Sequence, residues 1–265
     1  MRKFFFLFIS TLKRVFLSKS FWGACAGLAI MSLISIYEES VTLDGMETSV
    51  LYLYEIGTYA NFWILYLLFA AIPGSALFCS DWENRFFRSS IVRCTKRIYG
   101  AATACACFIS ALVTVMVGEW LFIGVLWLRY PLIIEESVLA MGLDHTVYAA
   151  LMNSTSVLLY FMIRICIKAF CAAFCSVFAL WLSTWITNIF VALTSPIILF
   201  YFLENVGAIF QLPGQLQITT LAKGHLMAGE SLSCTLLYPV FLFLAFGSLF
   251  GVFFAHRAKE RVENG

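Results

Sequence analysis

The chain has 265 residues, of which 62% are hydrophobic, 17% aromatic and only 12% charged. A water-soluble domain of this size needs about 25% charged residues to cover its surface, and no polar stretch here is long enough to fold as one. Lipid is therefore the expected solvent for most of the chain, and the net charge of +2 matters less as a sum than in its distribution.

Taken in chain order, residues 1–19 read as an amphipathic helix lying in the membrane interface. Phe5, Ile9, Leu12 and Phe16 recur at helical spacing, with Lys13 and Arg14 offset from them. These cations interrupt any signal-peptide core, and no small-residue cleavage site follows. A bilayer core of about 30 Å needs about 20 apolar residues in a helix. The first span is expected at about 21–37, between Lys19 and Glu38-Glu39. The second is expected at 59–79, bent at Pro73-Gly74, and the third at 99–127. The stretch 146–203 carries only two basic charges, Arg164 and Lys168, and is too long for one crossing. Its uncharged polar patch Ser183–Asn188 divides it into a fourth span at 158–182 and a fifth at 189–203. A sixth follows at 235–255, and 257–265 is a tail.

Charge asymmetry supports this division. No Lys or Arg occurs between Ser20 and Asn84, and thirteen of the 17 basic residues lie in the N-terminal helix, the loop after span two and the tail. The positive-inside rule puts all three in the cytoplasm. Both termini then share a side, which requires an even number of crossings; six satisfies this and five does not. The predicted fold is an all-α membrane protein with six transmembrane helices and an N-terminal amphipathic interfacial helix, both termini cytoplasmic. The outer loops 38–57 and 129–144 carry eight carboxylates, Glu55 among them, suited to attracting cationic peptides.

Ionisable groups inside a bilayer are functional suspects because burying them is costly. Glu119 lies near the outer end of span three, and Arg164 and Lys168 share a face of span four near the same depth. Two readings stand. The side chains snorkel to the headgroups, or Glu119 pairs with Lys168 or Arg164, the three forming an outer-leaflet charge cluster.

Intrinsic chemistry is not expected. There is no GxxxxGK[ST] loop for ATP. Glu38-Glu39 and Glu135-Glu136 lack the Arg that a prenyl-endopeptidase motif requires, with Leu43 and Ala140 in its place. Gly229-Glu230-Ser231-Leu232 resembles a rhomboid string, but His256 lies at the opposite membrane face. His145, His225 and His256 are scattered, and most of the nine cysteines sit in apolar runs as small hydrophobes, so no metal site and no catalytic residues are expected.

The loop after span two is the most informative stretch. It starts with the acids Asp81 and Glu83, carries Trp82, Phe86 and Phe87, and ends in the basic run Arg93–Arg97. Read as a helix beginning at Asp81, it places its acids at the N-terminal dipole and its aromatics on a docking face. Read otherwise, it is a positive-inside loop anchored by aromatics. With the amphipathic N-terminal helix and a fifth span opened by Asn188 and carrying Pro196, the order of parts resembles the permease subunit of bacterial ABC-2 type ABC exporters. The resemblance covers nearly the whole chain through loose motifs. The family's frequent Gly-Thr after the loop acid is replaced by Asn84-Arg85-Phe86.

That resemblance implies that Asp81, Trp82, Glu83, Asn84, Arg85, Phe86, Phe87 and Arg88 form a coupling segment docking into an ABC ATPase subunit. The ATPase would supply ATP and Mg; this chain holds no cofactor itself. It further implies a second permease protomer, identical or not, a multi-pass location in the bacterial plasma membrane, and no nucleic-acid partner. An antimicrobial peptide or hydrophobic compound is the implied cargo. The rival readings are a membrane interaction or sensory subunit that transports nothing, and a stand-alone ion-coupled carrier. The carrier would normally show internal repeats or midplane charges, and the sequence displays neither.

Overall fold

The computed structural model describes residues 2–37, 48–59, 63–84, 95–143, 146–152, 156–224 and 231–264. Among these the regular structure is helical, with no strand. The first helix, α1 (Arg2–Phe16), turns Val15, Leu7 and Phe16 toward the bundle. Phe5, Phe6 and Ile9 are left exposed, as an interfacial helix requires. The chain then bends by 58° into α2 (Lys19–Ser35). Ser18 makes the corner: its hydroxyl donates to the Val15 carbonyl at 2.6 Å and accepts the Phe21 amide at 3.2 Å, capping α2.

The expected second span is built from shorter pieces. Helix α3 (Val50–Tyr59) occupies residues assigned above mostly to an outer loop, and α4 (Trp63–Ala71) and α5 (Leu77–Glu83) follow. The correction has a local cause. The Val50 amide donates to the Pro131 carbonyl at 2.9 Å and Leu51 to Leu132 at 3.2 Å, tying the start of α3 to the loop after the third span. The break between α4 and α5 falls at 72–76, where Pro73-Gly74 predicts it. Gly74 is pressed against the next long helix. A Cβ there would lie 2.6 Å from Ser110 Oγ and 3.1 Å from the Cys107 Cα, so no larger residue fits.

The remaining helices are α6 (Lys96–Trp127), α7 (Glu135–Ala140), α8 (Val157–Ser183), α9 (Ile189–Ile209), α10 (Ile218–Lys223) and α11 (Leu232–Asn264). Among the described residues α6, α8, α9 and α11 are each long and apolar enough to cross a membrane, and the bent pair α1–α2 passes the same test taken together. Helix α8 is the centre of the bundle, with 72% of its most apolar window buried against 17% for α11. A ladder of rings joins the two: Phe174 with Phe243 at 6.0 Å, Phe178 with Phe250 at 5.2 Å and Trp181 with Phe250 at 5.5 Å. Helix α6 packs through small side chains such as Ala104, Cys107 and Ala111.

The polar break after Ser183 is a turn, as the sequence predicts, and Asn188 opens α9 by accepting the Phe190 amide at 2.9 Å. Two boundaries differ. Helix α9 continues past residue 203 to Ile209, and α11 continues through the expected tail to Asn264. In α11 the charges of the last turns are paired along the helix, with Arg257 2.6 Å and His256 3.3 Å from Glu260.

Two ends of the bundle can be told apart by contacts. At one, Arg14 of α1 reaches Asp81 of α5, and Arg261 of α11 donates to the carbonyls of Thr184 and Trp185 in the α8–α9 turn. The N-terminal helix, the root of the loop after α5, the α8–α9 turn and the end of α11 therefore meet, which is the grouping the charge pattern predicts. At the other end Val50, Leu126, Val138 and Leu143 share an apolar cluster.

Candidate functional site

Toward this second end the bundle encloses four charged side chains. Arg164 and Lys168 sit one turn apart on α8, about 10 Å and 16 Å from its start at about 1.5 Å per residue. Both are buried, at 1% and 4% exposure. Arg164 Nη2 lies 3.0 Å from each carboxylate oxygen of Glu55. The Tyr160 hydroxyl also donates to Glu55, and Arg164 Nη1 donates to the Lys223 carbonyl. Lys168 Nζ lies 3.4 Å from Glu119 Oε1 of α6, 3.1 Å from Thr58 Oγ1, and 4.2 Å from the centre of the Tyr54 ring.

Two cations thus meet two anions, so the network is neutral when all four are ionised. Neutrality is what makes burial tolerable: an ion deprived of its partner in such a site costs several kcal/mol. The snorkelling reading of Glu119, Arg164 and Lys168 is overturned, because α3, α6 and α10 cover the face of α8 that carries the cations. The pairing reading holds for Lys168 with Glu119. Arg164 takes instead a carboxylate that sequence reasoning placed in an outer loop and assigned to attracting peptides. Glu55 is 1% exposed and faces no solvent.

Helix α10 closes the site from below. Its last carbonyls serve the network: Lys223 accepts from Arg164, and Gly224 accepts from the Tyr148 hydroxyl at 2.9 Å. Gly224 is required here. Its φ of +63° is left-handed, and a Cβ would approach Arg164 Nη1 and Tyr148 Oη at 3.3 Å each. The carbonyl end of the helix adds negative potential beside the guanidinium. Burial pushes the Tyr148 hydroxyl above its ordinary pKa, so it remains a proton donor.

Beside Lys168 lies a cavity of about 30 Å³, bordered by Ser32, Ser35, Tyr54, Thr58 and Glu119. It is large enough for one water molecule. Glu119 Oε2 and Tyr54 Oη, both at its wall, have no hydrogen-bond partner among the described residues. The arrangement can hold fixed charges and hydrogen-bond protons. Among the described residues no three His, Cys, Asp or Glu side chains are grouped to hold a metal, and the described cysteines are free thiols.

The predicted coupling segment lies at the opposite end, where the structure describes only its first four residues. Asp81 is 3% exposed and is spent inside the chain: it accepts from Arg14 at 2.7 Å and from the Tyr99 hydroxyl at 2.8 Å. Of the two readings of this loop, the one that begins a helix at Asp81 is not what the described residues show. Asp81 and Glu83 occupy the last turn of α5, and Arg14 and Tyr99 compensate the Asp81 charge in place of a helix dipole. Trp82 packs on Phe78 at 5.8 Å and under Arg261 at 5.1 Å. Glu83 and Asn84 are exposed, and Asn84 caps α5 through Ser80 at 2.9 Å. Arg85, Phe86, Phe87 and Arg88 lie outside the described residues.

No family model, curated protein or solved structure matches the chain. The fold and composition identify it as an α-helical membrane protein with a buried network of four charges, two of each sign, toward one end of its bundle.

Proposed function

We propose that this chain is the membrane permease subunit of an ATP-driven exporter of the ABC-2 type. In this reading it has six crossings, counting α2 and the α3–α5 series with the four long helices, and its termini are cytoplasmic. The observation that carries the proposal is the Asp81 joint. One buried carboxylate ties the amphipathic α1, the end of α5 and the start of α6 together. Any force applied to the loop between α5 and α6 is thereby passed directly to an interfacial helix and to a membrane-spanning helix. Such a joint suits a segment that an ATPase pushes; a merely anchored loop has no need of it. Asp81 then acts as the hinge, and Glu83, Asn84 and the residues after them as the contact surface. ATP and Mg belong to the ATPase, two permease protomers form the path, and an amphipathic peptide or hydrophobic compound is the cargo class.

Co-expression with the ATPase encoded nearest to this chain tests the reading. The two should copurify, and replacing Glu83 and Phe86 by Ala should abolish the association while leaving the chain folded. Unchanged association in that variant would refute the coupling assignment.

A second reading is favoured by a specific observation. Arg164, Glu55, Lys168 and Glu119 supply the intramembrane charges that an ion-coupled carrier would use. Transport by vesicles that follows an imposed proton or sodium gradient, with no nucleotide, would select it.

A further inference from the structure

Helices α6 and α11 pack closely together, and a groove of about 680 Å³ runs along their junction on the outside of the bundle. Its floor is Val177 of α8, and its walls include Ala101, Cys105 and Phe108 from α6 with Ser248 and Val252 from α11. The walls are low because the facing residues are small. Gly251 sits where a Cβ would be 3.5 Å from the Ala104 Cβ. Gly100 is so close to α11 that a Cβ would fall 2.6 Å from the Ala255 Cα. The Gly247–Gly251 pair therefore packs α11 against α6 along the groove itself.

One end of the groove is cationic and the rest is apolar. Arg97, His256 and Lys259 stand at the end that also holds the Asp81 joint. From Arg97 to Ile109 along α6, and from Lys259 to Leu244 along α11, the groove is about 18–22 Å long at 1.5 Å per residue. One leaflet of a bilayer core is about 15 Å deep. The groove thus matches a single lipid in length, with its cations at headgroup level and its apolar trough at acyl level.

We infer that this groove is a binding site for one anionic phospholipid, its phosphate held by Arg97 and Lys259 and an acyl chain lying in the groove along the α6–α11 junction. Charge complementarity selects the headgroup: both kinds of lipid offer a phosphate, but a zwitterionic one also brings an ammonium that the two cations repel. The site is separate from the buried charge network and from the coupling segment, and does not depend on the exporter reading.

Native mass spectrometry of the detergent-solubilised chain tests it, with equal amounts of phosphatidylglycerol and phosphatidylcholine added. The wild type should retain phosphatidylglycerol in preference. Each cation near an anionic headgroup is worth about fivefold in affinity, so Arg97→Gln with Lys259→Gln should erase the preference while the melting temperature without added lipid stays unchanged. Cys105→Trp, which fills the exposed trough without touching the cations, should lower retention of both lipids. Equal retention of the two headgroups by the wild type, or an unchanged preference in the double variant, would overturn the inference. So would a dimer mass that Cys105→Trp converts to monomer, since the occupant would then be a second copy of the chain.

Discussion

Substitution of Glu55 by Gln puts the most demanding load on the buried network. The change keeps the shape of the side chain and removes one charge opposite Arg164, whose Nη2 is 3.0 Å from both carboxylate oxygens. Neither partner can turn to solvent, since their side chains are 1% and 2% exposed. An amide still accepts one hydrogen bond, so the loss is mainly electrostatic: a guanidinium left buried without its anion. Breaking a buried pair from one side costs about 3–5 kcal/mol, whereas an exposed pair is worth at most about 1 kcal/mol. The two cases are well separated. Unfolding of the purified chain by titrated SDS in mixed micelles should give a loss of about 3–5 kcal/mol for Glu55→Gln. Replacing both residues, Glu55→Gln with Arg164→Met, should recover much of that loss, because the uncompensated charge is gone. A loss below about 1 kcal/mol for the single variant would mean that Arg164 reaches water, and the buried network would be refuted. A double variant whose loss equals the sum of the two single losses would show that the residues do not interact.

Three further outcomes follow from the same contacts. Lys168→Met should destabilise the chain more than Lys168→Met combined with Glu119→Gln, because the first leaves Glu119 unpaired; SDS unfolding of both variants measures the difference. Gly224→Ala should cost about 1–2 kcal/mol from the left-handed backbone alone, and loosening of α10 should appear as faster amide exchange at Leu221–Gly224. Asp81→Asn should cost about 1.5–3 kcal/mol, the worth of a charged hydrogen bond. It should also raise the proteolytic sensitivity of the α1–α2 corner, while Glu83→Gln should do neither.

How far the sequence led can be judged from single residues. Helices α6, α8 and α11 were legible because each presents more than 20 residues with few charges, and hydropathy responds to that directly. The α8–α9 turn was legible because Ser183–Asn188 is polar at a point where parity of crossings demanded a break. Lys168 with Glu119 was legible because the two helices place them at similar depth. Glu55 was not. Val50–Tyr59 is apolar, but with an acid, a glycine and a threonine in its second half it reads as a loop, and its pairing with α8 exists only in three dimensions. The signal was present as a charge count: two buried cations require two anions, and Glu119 supplies only one. Helix α10 was missed for a related reason, since its six residues have no periodicity of their own and act through backbone carbonyls that sequence does not display. The reading of a helix starting at Asp81, one of two left open, differs from the structure because α5 already continues to Glu83 and Arg14 supplies the compensation that a helix dipole was asked to give.

The central claim, that this chain is worked by a separate ATPase through the loop after α5, is tested most directly by deleting residues 83–89, which leaves the Asp81 joint in place, from the tagged chain and measuring bound nucleotide hydrolysis. Purified from its own membrane, the full chain should bring with it an ATPase that carries a Walker A loop, with ATP turnover sensitive to vanadate. The deleted chain, folded and membrane-inserted, should bring none. Equal ATPase recovery with both chains, or no ATPase with the full chain, would contradict the account.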